Sequence, residues 1–338
     1  MILLTEYHAG SIRRSASSIG SQQYRHPDEV GISVLAKKRA CLLQFPHGCS
    51  IIGVILCRPY YFYLLEDTMS TVWYLLRSFF THKDFLPPAN ELAGSLFTPL
   101  HFGFAAVLLV LLIVLAIRMS KWSERRIRVG FAVLWGVLVC LEAAKILWET
   151  YSGAQVRLEV GGILPLYPCS IFLFAMPFAV FGRGKLRYMG CGYVCSLGFL
   201  GAAINFFYPA NVLSNYSCIS FAGFHTFFYH GSMLFCALVM LLSGYHSYKQ
   251  ARTAWDLLLP AIPALAVSIP ANLVNFSKIG SDYMFFKLNS FFMAPLGAIT
   301  PDGLSVVLVY LIYLLIHALP YLPFYIQNKR KSSPQKAG

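Results

Sequence analysis

Cys169 closes the run Leu164-Pro-Leu-Tyr-Pro-Cys169 at the mouth of an otherwise apolar segment. Pro165 and Pro168 each remove a backbone N–H and disfavour a helical residue before them, so the thiol is presented at an irregular entry. A thiol becomes a nucleophile when something lowers its pKa, and a histidine within hydrogen-bond reach does so. Two histidines, His225 and His230, lie on a later apolar segment. They are about 140° apart around a helix, so they do not both face Cys169. Glu142, Lys145 and Glu149 are spaced three and four apart, which puts them on one helix face where Lys145 can pair with either carboxylate. Tyr167 and Asn205 are donors of the kind that stabilise an oxyanion. His101, Asn272 and Asn275 are further polar residues in apolar surroundings.

The elements that must position these groups are membrane spans. The chain has 338 residues, 57% hydrophobic, 15% aromatic and only 12% charged. Soluble domains carry about 25% charged residues. Seven apolar stretches approach the ~20 residues that cross a bilayer. They are Thr98–Met119, Ile127–Trp148, Ile163–Phe181, Tyr188–Tyr208, Phe221–Gly244, Ala254–Asn275 and Gly303–Ile326. The expected fold is an all-α, polytopic membrane helical bundle of about seven transmembrane helices.

Basic residues alternate between the loops. Arg118, Lys121, Arg125, Arg126 and Arg128 follow the first span, Arg183, Lys185 and Arg187 the third, and Lys249 and Arg252 the fifth. The tail carries Lys329, Arg330, Lys331 and Lys336. The positive-inside rule then puts the C-terminus in the cytoplasm and the start of the first helix outside. The net charge of +13 is accounted for by loops lying against anionic lipid, and no nucleic-acid partner is expected. With that orientation Cys169, Glu142, Lys145, His101, Asn205, His225, His230 and Asn272 fall in the outer half of the membrane. Polar groups within spans usually face the bundle interior or a cavity. Their convergence predicts a polar cavity opening outward, with only His317 clearly in the inner half.

Residues 1–68 form a Ser-rich N-terminal extension of no clear period, expected to be poorly structured, with Met69 as the natural start. Residues 69–326 form the membrane domain and 327–338 a basic cytoplasmic tail. The nine cysteines are scattered, and Cys191 and Cys195 have Cys-x3-Cys spacing, not the Cys-x2-Cys of zinc sites. Neither a disulfide framework nor a metal or other cofactor is implied.

Four features occur in one order: Leu164 to Cys169, His225-x4-His230-Gly231, Gly280-Ser-Asp-Tyr-Met-Phe-Phe286 and Leu319-Pro-Tyr-Leu-Pro-Phe324. Together they resemble the YwaF family of bacterial integral membrane proteins, over roughly residues 69–326. That family is similar to a eukaryotic transmembrane acyltransferase of ether phospholipids. The resemblance implies a bacterial cytoplasmic membrane protein. It makes Cys169 the acyl-accepting thiol and His230 its base, whereas depth favours His225. Bacterial members commonly have His two residues before the Cys where this chain has Tyr167, and Thr-Asn-Tyr where it has Ser281-Asp282-Tyr283.

Three functions follow from these readings. The first is a lipid acyltransferase or acyl hydrolase working through a Cys169 thioester on a phospholipid or acyl-chain substrate. The second is a small-solute carrier or receptor with an outward polar cavity, for which Pro260, Pro263 and Pro270 would break the sixth span. The third is a structural membrane protein with no small-molecule site.

Overall fold

A computed structural model describes residues 78–154, 164–275, 282–288, 294–301 and 304–332. These all fall within one unit, Ser70–Gly338. The N-terminal extension, its Met69 start, Ser281 and residues 333–338 of the tail lie outside the described residues.

Every regular element among the described residues is helical. Helix α1 is Pro99–Met119, started by the Thr98 hydroxyl accepting from the His101 N–H and by a proline at its first position, the two commonest start signals. Helix α2 is Glu124–Ser152 and α3 is Ile171–Phe181. Helix α4, Lys185–Tyr193, runs through a π-helical turn at Val194–Gly198 into α5, Phe199–Phe207. A short α6, Ala210–Leu213, follows. Helix α7, Phe221–Leu242, begins at the cap Ser220, whose hydroxyl accepts from the Gly223 N–H. Helix α8, Ala254–Leu258, opens on a Thr253–Asp256 capping box and passes through Leu259–Ala261 into α9, Ile262–Asn275. Helices α10, Ala294–Ile299, α11, Ser305–Ala318, and α12, Leu322–Ser332, complete the order.

Helix α7 is the axis of the bundle, packing against α1, α2, α5 and the π-helical turn. It buries 72% of its apolar window, against 17% for α1 and 11% for α2. The outer helices therefore present Val107, Val110, Val133 and Leu147 to what composition requires to be lipid. Five helical stretches among the described residues are long and apolar enough to span, and six if α11 and α12, bent by 60°, count as one. Two expected spans thus differ from the regular helices anticipated. The third is helical for only 11 residues, about 16 Å at 1.5 Å per residue, because Pro165 and Pro168 keep Leu164–Ser170 out of the helix. The last breaks before Leu322, beside Pro320, whose ring cannot continue a helix.

Proline breaks cost hydrogen bonds that lipid cannot replace, and side chains from neighbouring helices supply them. Pro177 inside α3 has no N–H for the carbonyl of Leu173 four residues back; the Trp135 indole of α2 donates to that oxygen at 2.9 Å. Pro260 likewise leaves the Asp256 carbonyl, which takes the Tyr188 hydroxyl at 3.0 Å. In the non-helical entry to α3, the Tyr193 hydroxyl donates to the Pro168 carbonyl and the Tyr229 hydroxyl to the Cys169 carbonyl at 3.4 Å. Tyr248 donates to the carbonyl of Cys195 within the π-helical turn at 2.5 Å. Close approach of α3 and α4 is set by Gly190, where a Cβ would lie 2.5 Å from Ala179 N and 2.6 Å from Ala175 O.

The basic loops meet at one end of the bundle. Arg187 reaches Glu124, His246 Nε2 lies 2.7 Å from the Tyr321 hydroxyl, and Asn328 donates to the carbonyls of Lys249 and Ala251. At the other end Trp148 donates to the Phe80 carbonyl, and the Asp84 carboxylate accepts from the Ala154 N–H. That N–H is the main reason Asp84 titrates below the usual carboxylate range.

Two stability measurements test this architecture. Trp135→Phe leaves the Leu173 carbonyl bare and lowers stability by about 1–3 kcal/mol. Adding Pro177→Ala restores an N–H to that carbonyl and recovers much of the loss in detergent-solubilised thermal unfolding; no recovery would refute the pairing. The second concerns His246, whose pKa burial and then the nearby Arg187 charge push from 6.5 down to about 4. It is neutral when folded and charged when unfolded, so the unfolded chain binds more protons between those values. Its contribution is complete above about pH 6.5 and lost as pH falls towards 4, a change of about 3 kcal/mol. Tm therefore drops over that window, and His246→Gln makes the drop shallower; equal slopes would show that His246 does not carry it.

Candidate functional site

The thiol lies where three elements meet. Cys169 is half-buried in the last turn before α3, with Ser170 and Ile171 donating their N–H groups to the Tyr167 carbonyl. Its own carbonyl is tied to Tyr229 of α7, and the preceding carbonyl to Tyr193 of α4. The backbone on which the sulfur sits is therefore pinned from two helices, although it is not itself helical.

Helix α2 brings the charges. Lys145 Nζ stands 3.6 Å from Glu142 Oε1 and 3.9 Å from Glu149 Oε2, so the three do share one face. Glu142 Oε2 is 3.0 Å from His225 Nε2 of α7. The other face of this arrangement is aromatic. His225 stacks on Tyr229 with ring centres 5.8 Å apart and planes 20° apart, as residues four apart on a helix must overlap. Glu142 has a side-chain exposure of 16% and His225 of 8%. A carboxylate that far from water stays ionised only with partners, and Glu142 has Lys145 and His225 against its two oxygens.

A second wall comes from the segment before α10. Tyr167 packs on Tyr283 at 4.9 Å between ring centres and on Phe285 at 6.0 Å. Met284, Phe285 and Leu288 have φ of +57°, +58° and +55°, the left-handed region that non-glycine residues rarely occupy. Such strain persists only where the surroundings over-determine it. Asn275 of α9 supplies that constraint: its amide donates to the Tyr283 carbonyl and accepts the Tyr283 N–H, both at 2.7 Å. The Tyr313 hydroxyl of α11 holds the Met284 carbonyl at 2.7 Å.

Of the residues expected to form one polar layer, Glu142, Lys145 and His225 are in direct contact, and Cys169 sits on the turn held by Tyr229, the ring on which His225 stacks. The remaining candidates have local partners. His101 turns back to accept the Phe97 N–H at 3.2 Å, holding a residue with φ of +65°. Asn205 donates to Gly201 within its own helix, and Asn272 donates to the Tyr310 hydroxyl. His230 Nδ1 lies 2.8 Å from the Thr226 carbonyl one turn back, while its buried Nε2 has no hydrogen-bond partner among the described residues. His317, expected to stand apart, sits 2.5 Å from the Ser196 hydroxyl at the π-helical turn. Tyr229, Tyr193 and Tyr313 were not singled out from sequence. Tyr229 was accessible, because it lies one turn beyond His225 on the same face; Tyr193 and Tyr313 had no such signal. Among the described residues no group of three His, Cys, Asp or Glu side chains fits a metal ion.

Asn275→Ala removes both anchors of Tyr283, so the 282–288 backbone loosens. Amide hydrogen exchange at Tyr283 is expected to accelerate, with stability falling by about 1–3 kcal/mol. Unchanged exchange there would show that the left-handed turn is held by other contacts.

Comparison with curated proteins gives no match, and comparison with solved structures gives none. A protein-family model, that of the TMEM164 family, matches residues 96–327. The match takes in α1 and α2, the Cys169 turn, α7 and most of α12. With its long apolar helices, the chain is a multi-pass membrane protein belonging to the TMEM164 family.

Proposed function

We propose that this protein is a membrane-embedded acyltransferase whose thiol, Cys169, carries the acyl group of a phospholipid, with His225 as its base and Glu142 orienting that base. The observation that carries the reading is the 3.0 Å Glu142–His225 contact, with His225 stacked on Tyr229, whose hydroxyl holds the Cys169 carbonyl. A carboxylate placed against Nε2 of an imidazole favours the proton on that nitrogen and leaves Nδ1 as the acceptor, the division of labour used by Cys–His–acid sites. His230 is less suited, because its Nδ1 faces the neutral Thr226 carbonyl, which stabilises an imidazolium less than the Glu142 carboxylate beside His225 does. The YwaF-type motifs and their link to ether-phospholipid acylation are the finer placement within the family that this reading adopts.

In the first half-reaction His225 Nδ1 takes the thiol proton and the sulfur attacks the ester carbonyl of a membrane lipid. The C–O bond breaks, the lysolipid alkoxide takes the proton back from the imidazolium, and a Cys169 thioester remains. In the second, His225 deprotonates an acceptor hydroxyl, which attacks the thioester; the C–S bond breaks and the thiolate recovers the proton. Dividing transfer in this way lowers each barrier. Donors for the oxyanion are sought at Tyr167, while Lys145 stabilises negative charge passing through the site. The cavity is read as opening to the outer leaflet of a bacterial cytoplasmic membrane, so the substrate ester need not leave the bilayer.

Purified protein in vesicles with a fluorescent phospholipid donor and a lysolipid acceptor tests this. Cys169→Ala and Cys169→Ser abolish both transfer and thioester capture. His225→Gln slows transfer about a hundredfold, whereas His230→Gln stays near wild type. Glu142→Gln lowers kcat and alters the pH–rate profile, and Glu142→Asp partly restores both, which a purely structural role would not produce. Transfer that survives Cys169→Ala would end the proposal. Solute uptake abolished by Glu142→Gln without any transfer activity would favour a carrier instead.

A further inference from the structure

At the basic end of the bundle, away from Cys169, a cleft of about 360 Å³ opens among the start of α4, the end of α7 and the start of α2. Its lining sets Arg187 against Glu124, and Arg128, outside that lining, reaches the same carboxylate. Glu124 Oε1 accepts from Arg187 Nη1 at 2.7 Å and from Arg128 Nη2 at 2.8 Å, so two guanidiniums converge on one carboxylate oxygen. One positive charge is left over, and the Arg128 Nε is buried without a hydrogen-bond partner among the described residues. Arg183, on the loop before α4, and Lys185, in the same first turn as Arg187, are both exposed.

The arginine is held in place. The Arg187 guanidinium lies 3.9 Å above the Tyr245 ring, and the Tyr245 hydroxyl is fixed by the Ala179 carbonyl at 2.8 Å. A stacked guanidinium keeps its N–H edge available in plane, the geometry that matches a tetrahedral oxyanion. The walls are open. Gly184 and Gly244 line the cleft, have φ of +55° and +73°, and a Cβ on either would meet nothing within 4 Å. Glu124 is the more exposed member. Its side chain is 58% exposed, against 23% for Arg187, so it can swing into solvent and release both arginines.

We infer that this cleft is a binding site for a phosphate group, in which Arg187 and Arg128 grip the oxyanion that displaces Glu124. The site lies among the loops flanking the ends of the spans, at the depth of lipid headgroups, so the phosphate belongs either to an anionic phospholipid or to a soluble phosphate compound. The site does not depend on acyl transfer at Cys169.

The full chain in detergent micelles separates these sources. Native mass spectrometry measures retention of phosphatidylglycerol against uncharged diacylglycerol, and thermophoresis measures binding of inorganic pyrophosphate. A lipid site retains phosphatidylglycerol over diacylglycerol and ignores pyrophosphate; a soluble-phosphate site binds pyrophosphate with no lipid preference. In either case Arg187→Ala weakens the responding probe about tenfold, and Glu124→Gln, which removes the competing carboxylate, tightens it about threefold or more. The second variant adds no charge to bury and serves where Arg187→Ala unfolds the protein. Cys169→Ala leaves binding unchanged. No binding of either probe, or affinities that Glu124→Gln leaves at the wild-type value, would overturn the proposal.

Discussion

Backbone polar groups inside an apolar bundle have no water to turn to, and leaving one bare costs several kcal/mol. That constraint shapes this protein wherever a proline interrupts a span. The remedies are local and specific: Trp135 for the carbonyl orphaned by Pro177, Tyr188 for the one orphaned by Pro260, Tyr193 and Tyr229 for the entry to α3. The high aromatic content is thus more than bulk. Tyrosine and tryptophan bury a large ring and deliver one donor at its edge, which is what an interrupted helix in lipid requires.

The same devices determine where the thiol can sit. A cysteine on a regular helix would share its surface with neighbours at fixed angles. Cys169 instead occupies a turn whose carbonyls are held by α4 and α7, and α7 is the helix whose His225 meets Glu142 of α2. The irregular turn, the Glu142–His225 contact and the left-handed segment at Met284–Leu288 are all departures from the cheapest local structure. Strain of this kind clusters at functional sites, and here the three converge on one side of the bundle.

The bundle has two chemically different ends. One carries the acid–histidine pair within the helices. The other gathers the basic loops, where Glu124 holds two arginines together and His246 stays neutral beside Tyr321. Pairing within helices holds down the cost of burying charge, whereas the basic end keeps an unbalanced positive charge in reach of solvent.

Much of the architecture was legible in the sequence because hydropathy and charge are local. Apolar length fixed the helices, and the alternation of arginine and lysine anticipated that the loops after the first, third and fifth spans would meet at one end. The shared face of Glu142, Lys145 and Glu149 followed from helical spacing alone, and Pro165 with Pro168 announced an irregular turn at Cys169. Spacing could not say how α2 and α7 are rotated about their axes, and a rotation of about 100° separates adjacent residues. Tertiary packing therefore decided that His225, not His230, meets Glu142, and that His101, Asn205 and Asn272 are spent on local hydrogen bonds. It also decided that the third span is a short helix on a pinned turn, because only neighbouring side chains can satisfy the carbonyls that its prolines leave bare.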